Sequence, residues 1–546
     1  MPYRYQRPSM PPPEYQEYQQ PGPQNVTSNY NIQYNSPGYG NRYNQGQMYD
    51  QQTSAQFNGS NANDEKYNYE APPSPSAGQQ TFDDAFKVRK PKYNDIPFTF
   101  WFLASMAGFI VIAVMSITYY RSHSSYEGSG IHDSSNMVTL NTNTIIGFCI
   151  VVAVGIVLSI LMLVLAKFSA RLFLIIGLIC NFLFGIATAI YYLCVGYYSA
   201  GIVFLIMAVF FGFCYWSMRS RIPFSATVLR IVVSVSSQFK SCYIVAILGM
   251  IIVGAFSFLF VITIVAVYAR WGDQNNSEQY SQSKLIGLLV YVFYSGYYIT
   301  EVMRTTIHVT LSGIYGTWYY LSKSDAGIPQ HPALGSFRRA MTFCFGSICL
   351  GSLIVSLIQL LRQLISIAKM QALGDGNGFA YCMLMLLDAF VYVLDWCVRY
   401  FNHYAYSYIA LYGKPYLKSA RDTYHIFKFK GFDAIINDCI IDTALGIYSF
   451  FAGFLAAFAS YLYLKKTKPA YNSNGSYYAP VVAFSFVVAL QICNVISTVI
   501  TSGTATFFLC LAKDPEVFQV SYPDDFNEVL KNYPEVLMKV QTPESG

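Results

Sequence analysis

The feature that most constrains this chain is a series of apolar stretches too long for the core of a soluble domain. One of them, NTIIGFCIVVAVGIVLSILMLVLA at residues 143–166, has no charged residue and exceeds the ~18 apolar residues that mark a membrane-spanning helix. Only 12% of all residues are charged, whereas soluble domains have about 25%. The sequence therefore predicts an all-α polytopic membrane protein.

Ten such stretches follow one another, and each predicts a transmembrane helix. Their approximate bounds are 98–120, 144–166, 172–194, 197–216, 243–268, 285–310, 341–365, 379–401, 438–464 and 479–511. The basic segment KVRKPK at 87–92 precedes the first, which predicts a cytoplasmic N-terminus. With ten spans the C-terminus is then cytoplasmic as well. The predicted domains are a tail at 1–95, a transmembrane helical domain at 96–512 and a C-terminal tail at 513–546.

The segments outside the spans carry simpler predictions. Residues 1–95 are rich in Tyr, Gln, Asn, Pro, Gly and Ser and lack an apolar run, so a disordered tail is predicted. The sequons at Asn275 and Asn474 lie in predicted external loops and are candidate N-glycosylation sites. The segment 219–241 is too polar to span and predicts an interfacial helix or a half-inserted segment. The basic loop 413–432 predicts contact with anionic membrane lipids.

Residue types that support catalysis or metal binding are scarce. The twelve cysteines lie in or beside apolar stretches, and there are only six histidines. The sequence shows no Cys/His metal spacing, nucleophile motif or suitably spaced carboxylate pair. We therefore predict no enzymatic activity, no cofactor and no metal site. The net charge of +6 reports membrane topology and indicates no nucleic-acid partner; no pattern in the sequence sets the oligomeric state.

Ionisable residues at membrane depth are costly and are therefore candidates for function. In YSGYYITEVMRTTIHVT (294–310), Glu301, Arg304 and His308 follow an i, i+3, i+7 pattern on one helix face. At 1.5 Å per residue Glu301 lies about 24 Å into a hydrocarbon core of about 30 Å. That depth is close to the inner edge. These residues predict either an anchoring ion pair or a functional element, an inner gate or a proton-linked switch.

The eighth stretch carries a second polar stripe. Asp388, Tyr392, Asp395 and Arg399 follow i, i+4, i+7 and i+11. Asp388 lies about 14 Å deep, near the midplane, and has no basic partner on its own helix. It must be protonated, be paired with another span or face a water-filled cavity. Asp395 is within a turn of Arg399, its predicted partner, and both extend the candidate inner gate.

Aromatic side chains surround these acids. An organic cation near the midplane binds a carboxylate or aromatic faces, and carriers commonly bind substrate at that depth. With 47 Tyr and 41 Phe in the chain, ordinary packing is the competing interpretation of each ring. The residues predicted to line a substrate path are Asp388, Tyr392, Trp396, Tyr294, Tyr297 and Tyr298.

Several longer segments resemble the choline transporter-like family of multi-pass membrane proteins, and in particular its fungal branch. They are PKYNDIPF (91–98), GTWYYL (316–321), FRRAMTFCFGSICLGSLIVSLIQLLRQ (337–363), RYFNHYAYSYIALYGKPYLKSARDTY (399–424) and FDAIINDCI (432–440). The resemblance implies about ten helices, cytoplasmic termini, the plasma membrane, and choline or a related organic cation as substrate. It implies no particular site residue.

Two functions remain open at this point. The first is a carrier of choline-like cations. The alternative is a non-transporting membrane organiser that acts through its cytoplasmic tail and the basic loop 413–432. A scaffold has no use for a carboxylate at the midplane, so Asp388 favours the carrier.

Overall fold

The computed structural model describes residues 92–123, 142–271, 282–324, 327–430, 433–467 and 478–532. These ranges form α-helices, one short 3₁₀ turn and connecting segments, with no β-strand among them. The predictions for residues 1–91, for Asn275 and Asn474, and for residues 533–546 lie outside the described residues.

Fifteen α-helices occur in the described ranges. They are α1 (Ile96–His123), α2 (Thr142–Phe168), α3 (Ala170–Cys194), α4 (Tyr198–Met218), α5 (Ile222–Gln238), α6 (Ser241–Trp271), α7 (Gln282–Leu321), α8 (Pro332–Met341), α9 (Phe345–Gly374), α10 (Gly378–Tyr412), α11 (Tyr416–Lys430), α12 (Asp433–Thr467), α13 (Tyr478–Lys513), α14 (Pro515–Ser521) and α15 (Pro523–Asn532). Ten helical segments are long and apolar enough to cross a membrane. The prediction of an all-α protein with about ten transmembrane helices is confirmed.

Three spanning helices are longer than the sequence predicted. Helix α7 continues to Leu321, α9 to Gly374 and α10 to Tyr412. Forty residues of α7 reach about 60 Å, twice the ~30 Å of hydrocarbon. Hydropathy marks only the lipid-crossing part, whereas the polar ends of α7 and α10 are buried against neighbouring helices and the end of α9 is largely exposed. Lys369 and His403, which lie just past the predicted spans, are therefore parts of spanning helices.

The spanning helices pack in two groups. Helices α1, α6, α7, α9 and α10 form one group, and α2, α3, α4, α12 and α13 form the other. Helix α13 also packs against α6, α7 and α10 and so connects them. We call the membrane face at which α1 begins the first face and the opposite one the second face. Helix α5, predicted as interfacial, packs on α3 and α13 with most of its side chains buried.

The two groups are joined near the first face by aromatic contacts. The Tyr319 ring at the end of α7 stacks on Phe518 of α14, with centroids 5.9 Å apart. Trp318 stacks on Tyr522 at 4.8 Å. Helix α15 is held against α5 by the ion pair between Glu528 and Arg230. The C-terminal helices therefore fasten the end of α7 to the second group.

Residues 92–95, which we call the hook, pack against the start of α9. Asp95 Oδ2 accepts hydrogen bonds from Ser347 Oγ at 2.6 Å and from the backbone N–H of Tyr416 at 2.9 Å. Asn94 Nδ2 donates to the Gly413 carbonyl at 2.6 Å. A Cβ at Gly346 would lie only 2.3 Å from the Asn94 carbonyl oxygen. The glycine thus lets the hook join α9, the end of α10 and the start of α11.

The end of α10 and the start of α11 contain one of the two long segments that resemble the family, residues 399–424. Helix α10 ends at Gly413, whose φ of +60° is the left-handed conformation that glycine adopts readily. Tyr416 donates from its hydroxyl to Asn402 Oδ1 at 2.5 Å, and burial raises the pKa of Tyr416 to about 12. The hydroxyl therefore stays protonated at neutral pH. This motif therefore forms a polar, hydrogen-bonded helix end.

Candidate functional site

A polar cavity of about 360 Å³ lies between α7, α9 and α10. Its lining contains amides, hydroxyls, two guanidinium groups and a carboxylate. The lining residues are Tyr297, Gln359, Arg362, Gln363, Ser366, Asp388 and Arg399. Asp388 is ten residues from the start of α10, about 15 Å along the helix, so the cavity reaches membrane depth.

The charged residues around this cavity form one continuous chain, which we call the ion-pair ladder. Asp388 Oδ2 contacts Lys369, and Asp388 Oδ1 is 3.9 Å from Arg362 Nε. Asp395 Oδ2 is 3.2 Å from Arg362 Nη1, and Asp395 Oδ1 accepts from Arg399 Nε at 2.9 Å. The members in order are Lys369, Asp388, Arg362, Asp395, Arg399 and Glu301. Three acids and three bases alternate, so the ladder is neutral when all six are ionised.

The ion-pair ladder shows how the Asp388 carboxylate is accommodated at membrane depth. Of the three states the sequence allowed, the structure shows an ion pair with another spanning helix, and Asp388 also lines the cavity. The most enclosed member is Asp395, whose side chain is 8% exposed. A carboxylate at that depth is retained because two guanidinium groups and their hydrogen bonds replace the water it has lost.

Two of the three bases of the ladder, Arg362 and Lys369, were not predicted from the sequence. Arg362 and Lys369 belong to a polar stripe on α9 with Gln359, Gln363 and Ser366, at helical spacing. The predicted seventh span ends at residue 365, which places Lys369 in the following loop. The i, i+3, i+7, i+10 series from Gln359 to Lys369 is the signal that could have identified this face.

The predicted aromatic residues occupy different places. Tyr297 lines the cavity, and its hydroxyl donates to Gln363 Oε1 at 3.4 Å. Tyr392 lies beneath the Arg362 guanidinium, 5.0 Å from ring centroid to Cζ, with an exposed ring. Trp396 is also exposed. Of the five predicted rings, only Tyr297 lines this cavity.

Tyr294 and Tyr298 stack on each other away from the cavity, with ring centroids 5.9 Å apart. Tyr294 accepts a hydrogen bond from Trp101 Nε1 at 2.7 Å, and Tyr298 is fully buried in the core shared by α1, α7 and α9. Both rings contribute to packing between α7 and α1.

The three ionisable residues of α7 separate in the structure. Glu301 lies 3.7 Å from Arg399 Nη1 on α10 and completes the ladder. Arg304 is exposed. His308 is buried one level closer to the first face, where α7, α10 and α13 meet. The row predicted from spacing is therefore divided between the ladder and a second polar cluster.

That second cluster, which we call the polar layer, consists of His308, His403, Ser407, Ser502 and Thr506. The imidazoles of His308 and His403 stack with centroids 4.0 Å apart. His308 Nε2 faces the His403 carbonyl at 2.8 Å, so Nε2 carries the proton and Nδ1 accepts from Ser502 Oγ at 2.8 Å. Thr506 Oγ1 donates to Ser407 Oγ at 3.5 Å. These bonds connect α13 with α7 and α10, and so join the two helix groups.

Sequence reasoning also missed a buried acid on α12. Asp438 is 1% exposed, and its Oδ2 accepts from Tyr404 Oη at 2.7 Å. Asp438 lies near the start of α12, within the family-like segment 432–440. The spacing of the residues around it does not indicate that it meets a tyrosine of α10.

The profile of the family described as plasma-membrane choline transporter matches residues 202–516, which include every member of the ladder and the polar layer. The chain belongs to the choline transporter-like family. The matched region is more than half of the 546 residues and holds six of the ten spans and most of a seventh. The protein is therefore a multi-pass, transporter-like membrane protein.

Curated fungal relatives extend the match over most of the chain. Protein PNS1 of Debaryomyces hansenii is 53% identical over 483 residues, 88% of this chain and 93% of that protein. Protein PNS1 of Candida albicans is 52% identical over 481 residues, 87% of this chain and 92% of that protein. Protein PNS1 of Saccharomyces cerevisiae is 43% identical over 550 residues, 98% of both chains. The expected place in the fungal branch of the family is confirmed.

Proposed function

We propose that the protein is a plasma-membrane carrier of choline or a related small organic cation, with both termini and the first face in the cytoplasm. The observation that carries the proposal is Asp388, a carboxylate that lines a polar cavity of about 360 Å³ at membrane depth. A cation that leaves water needs a negative charge or aromatic faces at that depth.

The cavity supplies these groups around a small volume. Asp388 is the acidic lining residue, Tyr297 offers a ring, and Gln359 and Gln363 offer polar contacts. Asp388 is in contact with Lys369, so a substrate cation must take the place of the ammonium group. We also propose Tyr392 and Trp396, whose rings are exposed on α10, as aromatic contacts along the approach to this cavity.

The inner gate of the carrier is proposed on the first-face side of the cavity. Glu301, Asp395 and Arg399 of the ladder form its upper part, and the polar layer around His308 forms its lower part. Exposed Arg304 is proposed to interact with lipid headgroups near that face. On the second face, Asn275 and Asn474 are proposed to be glycosylated.

Uptake of labelled choline into vesicles that contain the purified protein tests the proposal. Saturable uptake is expected for the wild type, and Asp388→Asn should lower the initial rate at least about tenfold because the substrate then lacks its counter-charge. Asp375→Asn, an exposed acid in the turn between α9 and α10, is the matched control and should keep wild-type uptake. Wild-type vesicles that accumulate no more choline than protein-free vesicles would rule out the choline carrier.

One observation favours the alternative of a non-transporting organiser. The ladder pairs each of its acids with a base without any ligand, as a static structural network also would. The two functions predict different effects of Asp388→Asn. In an organiser this change weakens folding alone, whereas in a carrier it removes uptake from a protein that still elutes as a folded species.

A further inference from the structure

A lysine of the protein already occupies the carboxylate that the proposed substrate needs. Lys369 contacts Asp388 Oδ2 from the neighbouring helix, and the two side chains are 20% and 25% exposed. The second base near Asp388 is Arg362, whose Nε is 3.9 Å from Oδ1. Arg362 also bonds Asp395 at 3.2 Å. Lys369 is therefore the main counter-charge of Asp388.

Lys369 has the properties of a replaceable cation. Its ammonium group carries the same single charge as a quaternary ammonium substrate, and it ends a flexible four-carbon chain. Its Cα is five residues from the end of α9, so the side chain reaches from near the second face toward Asp388. Withdrawal toward that face returns the ammonium to water without any change in α9.

The charge balance of the ladder depends on this lysine. With Lys369 on Asp388, three bases match three acids and the empty cavity holds no net charge. Without it, the empty cavity carries one unpaired negative charge at membrane depth, which opposes any conformational change that moves or encloses it.

We propose that Lys369 is an internal counter-ion: it occupies Asp388 in the empty carrier, is displaced by the substrate cation, and returns to Asp388 after release. This inference rests on the proposed carrier function. It assigns the transport type, because an empty carrier whose site is neutral can return without a co-transported ion. The protein is then a facilitative carrier in which only the empty step requires Lys369.

Net uptake and exchange separate these two steps. Lys369→Gln should reduce uptake of labelled choline into empty vesicles at least about tenfold, because each cycle includes the return of the empty carrier. Exchange into vesicles preloaded with unlabelled choline should stay within about twofold of wild type, because both directions carry substrate. Lys369→Arg keeps the cation and should restore net uptake. Lys466→Gln, an exposed lysine of α12, is the control.

Each result decides the proposal. The counter-ion role of Lys369 is overturned if Lys369→Gln leaves net uptake unchanged, or if it reduces net uptake and exchange equally. In both cases uptake by the wild type still supports the proposed carrier function. If the wild-type protein is inactive in both assays, the proposed carrier function and the counter-ion role of Lys369 are both overturned. If Lys369→Gln does not fold, amine labelling of the wild type followed by mass spectrometry decides instead. Saturating choline should raise labelling of Lys369 several-fold and leave Lys466 unchanged, and no change at Lys369 overturns the proposal.

Discussion

Asp395 is the residue on which the ion-pair ladder depends most. Its two carboxylate oxygens bond Arg399 at 2.9 Å and Arg362 at 3.2 Å, and its side chain is 8% exposed. Glu301 makes one longer contact, 3.7 Å to Arg399, with 13% exposure. Without the Asp395 charge, Arg362 and Arg399 would each lose the nearer of their two carboxylates and keep only the longer contacts to Asp388 at 3.9 Å and to Glu301 at 3.7 Å.

Asp395→Asn should therefore lower the free energy of unfolding by about 2 kcal/mol, because one change removes the nearer carboxylate partner of both Arg362 and Arg399. Glu301→Gln should lower it by about 1 kcal/mol, and should alter stability or gating more than the half-saturation concentration for choline. Denaturant unfolding of the detergent-solubilised protein measures both, with the exposed acid variant Asp375→Asn as reference. Equal losses at the two positions, or a pure rise in half-saturation for Glu301→Gln, would contradict this order.

Spacing along one helix was enough to predict half of the candidate site. Asp395 and Arg399 are one turn apart, so their pairing follows from helix geometry. Lys369 and Arg362 are on α9, and their pairing with Asp388 depends on how α9 packs against α10. The rotation of α9 relative to α10 does not follow from a single sequence. The polar stripe on α9 does show that one face of this helix is unsuited to contact with lipid.

The hook and the start of α9 form one structural element that the sequence showed only as a family-like motif. Asp95 has φ of +54° and accepts two hydrogen bonds, and the hook carbonyls pass where a side chain on Gly346 would be. The motif PKYNDIPF thus has a structural role in the described residues, as a fastening between α9, the end of α10 and α11.

Gly346→Ala should destabilise the protein by at least about 2 kcal/mol, because its methyl group would lie 2.3 Å from the Asn94 carbonyl oxygen and 2.5 Å from that of Asp95. Asp95→Asn, which keeps an acceptor oxygen and tolerates positive φ, should cost less than Asp95→Ala. Thermal unfolding measures the series. Gly446→Ala is the matched control, because nothing lies within 4 Å of its added Cβ, and alanine favours the helix. A Gly346→Ala protein as stable as Gly446→Ala would refute the close approach.

Helix existence was predictable from the sequence, whereas helix ends were not. Apolar runs predicted all ten spanning segments because lipid requires them. The first-face ends of α7 and α10 instead carry His, Ser, Thr and Tyr, which hydropathy assigns to loops. Those side chains are buried by α13 and by the C-terminal helices, and only the folded arrangement supplies their hydrogen-bond partners.

The molecule has a polar cavity at membrane depth, and its two helix groups are in contact on the first-face side of that cavity. The polar layer and the contacts of α14 with α7 join the two helix groups on that side. Carriers built from two helix groups expose a central site to one face at a time. For the proposed carrier, whose cavity lies between α7, α9 and α10, we infer a state closed toward the first face, in which release toward that face requires the polar layer to separate.

Separation of the polar layer can be measured at Ser407, which is fully buried between the groups. In Ser407→Cys, a water-soluble thiol reagent added at the first face should react slowly, and saturating choline should raise the rate several-fold as the layer opens. Adding Ser502→Ala removes the partner of His308 Nδ1, and should raise the rate without choline. Ser324→Cys, exposed at the first face, should react equally under all conditions. A Ser407→Cys rate that choline and Ser502→Ala both leave unchanged would show that the layer is a static part of the fold, and would move the inner gate up to the ladder.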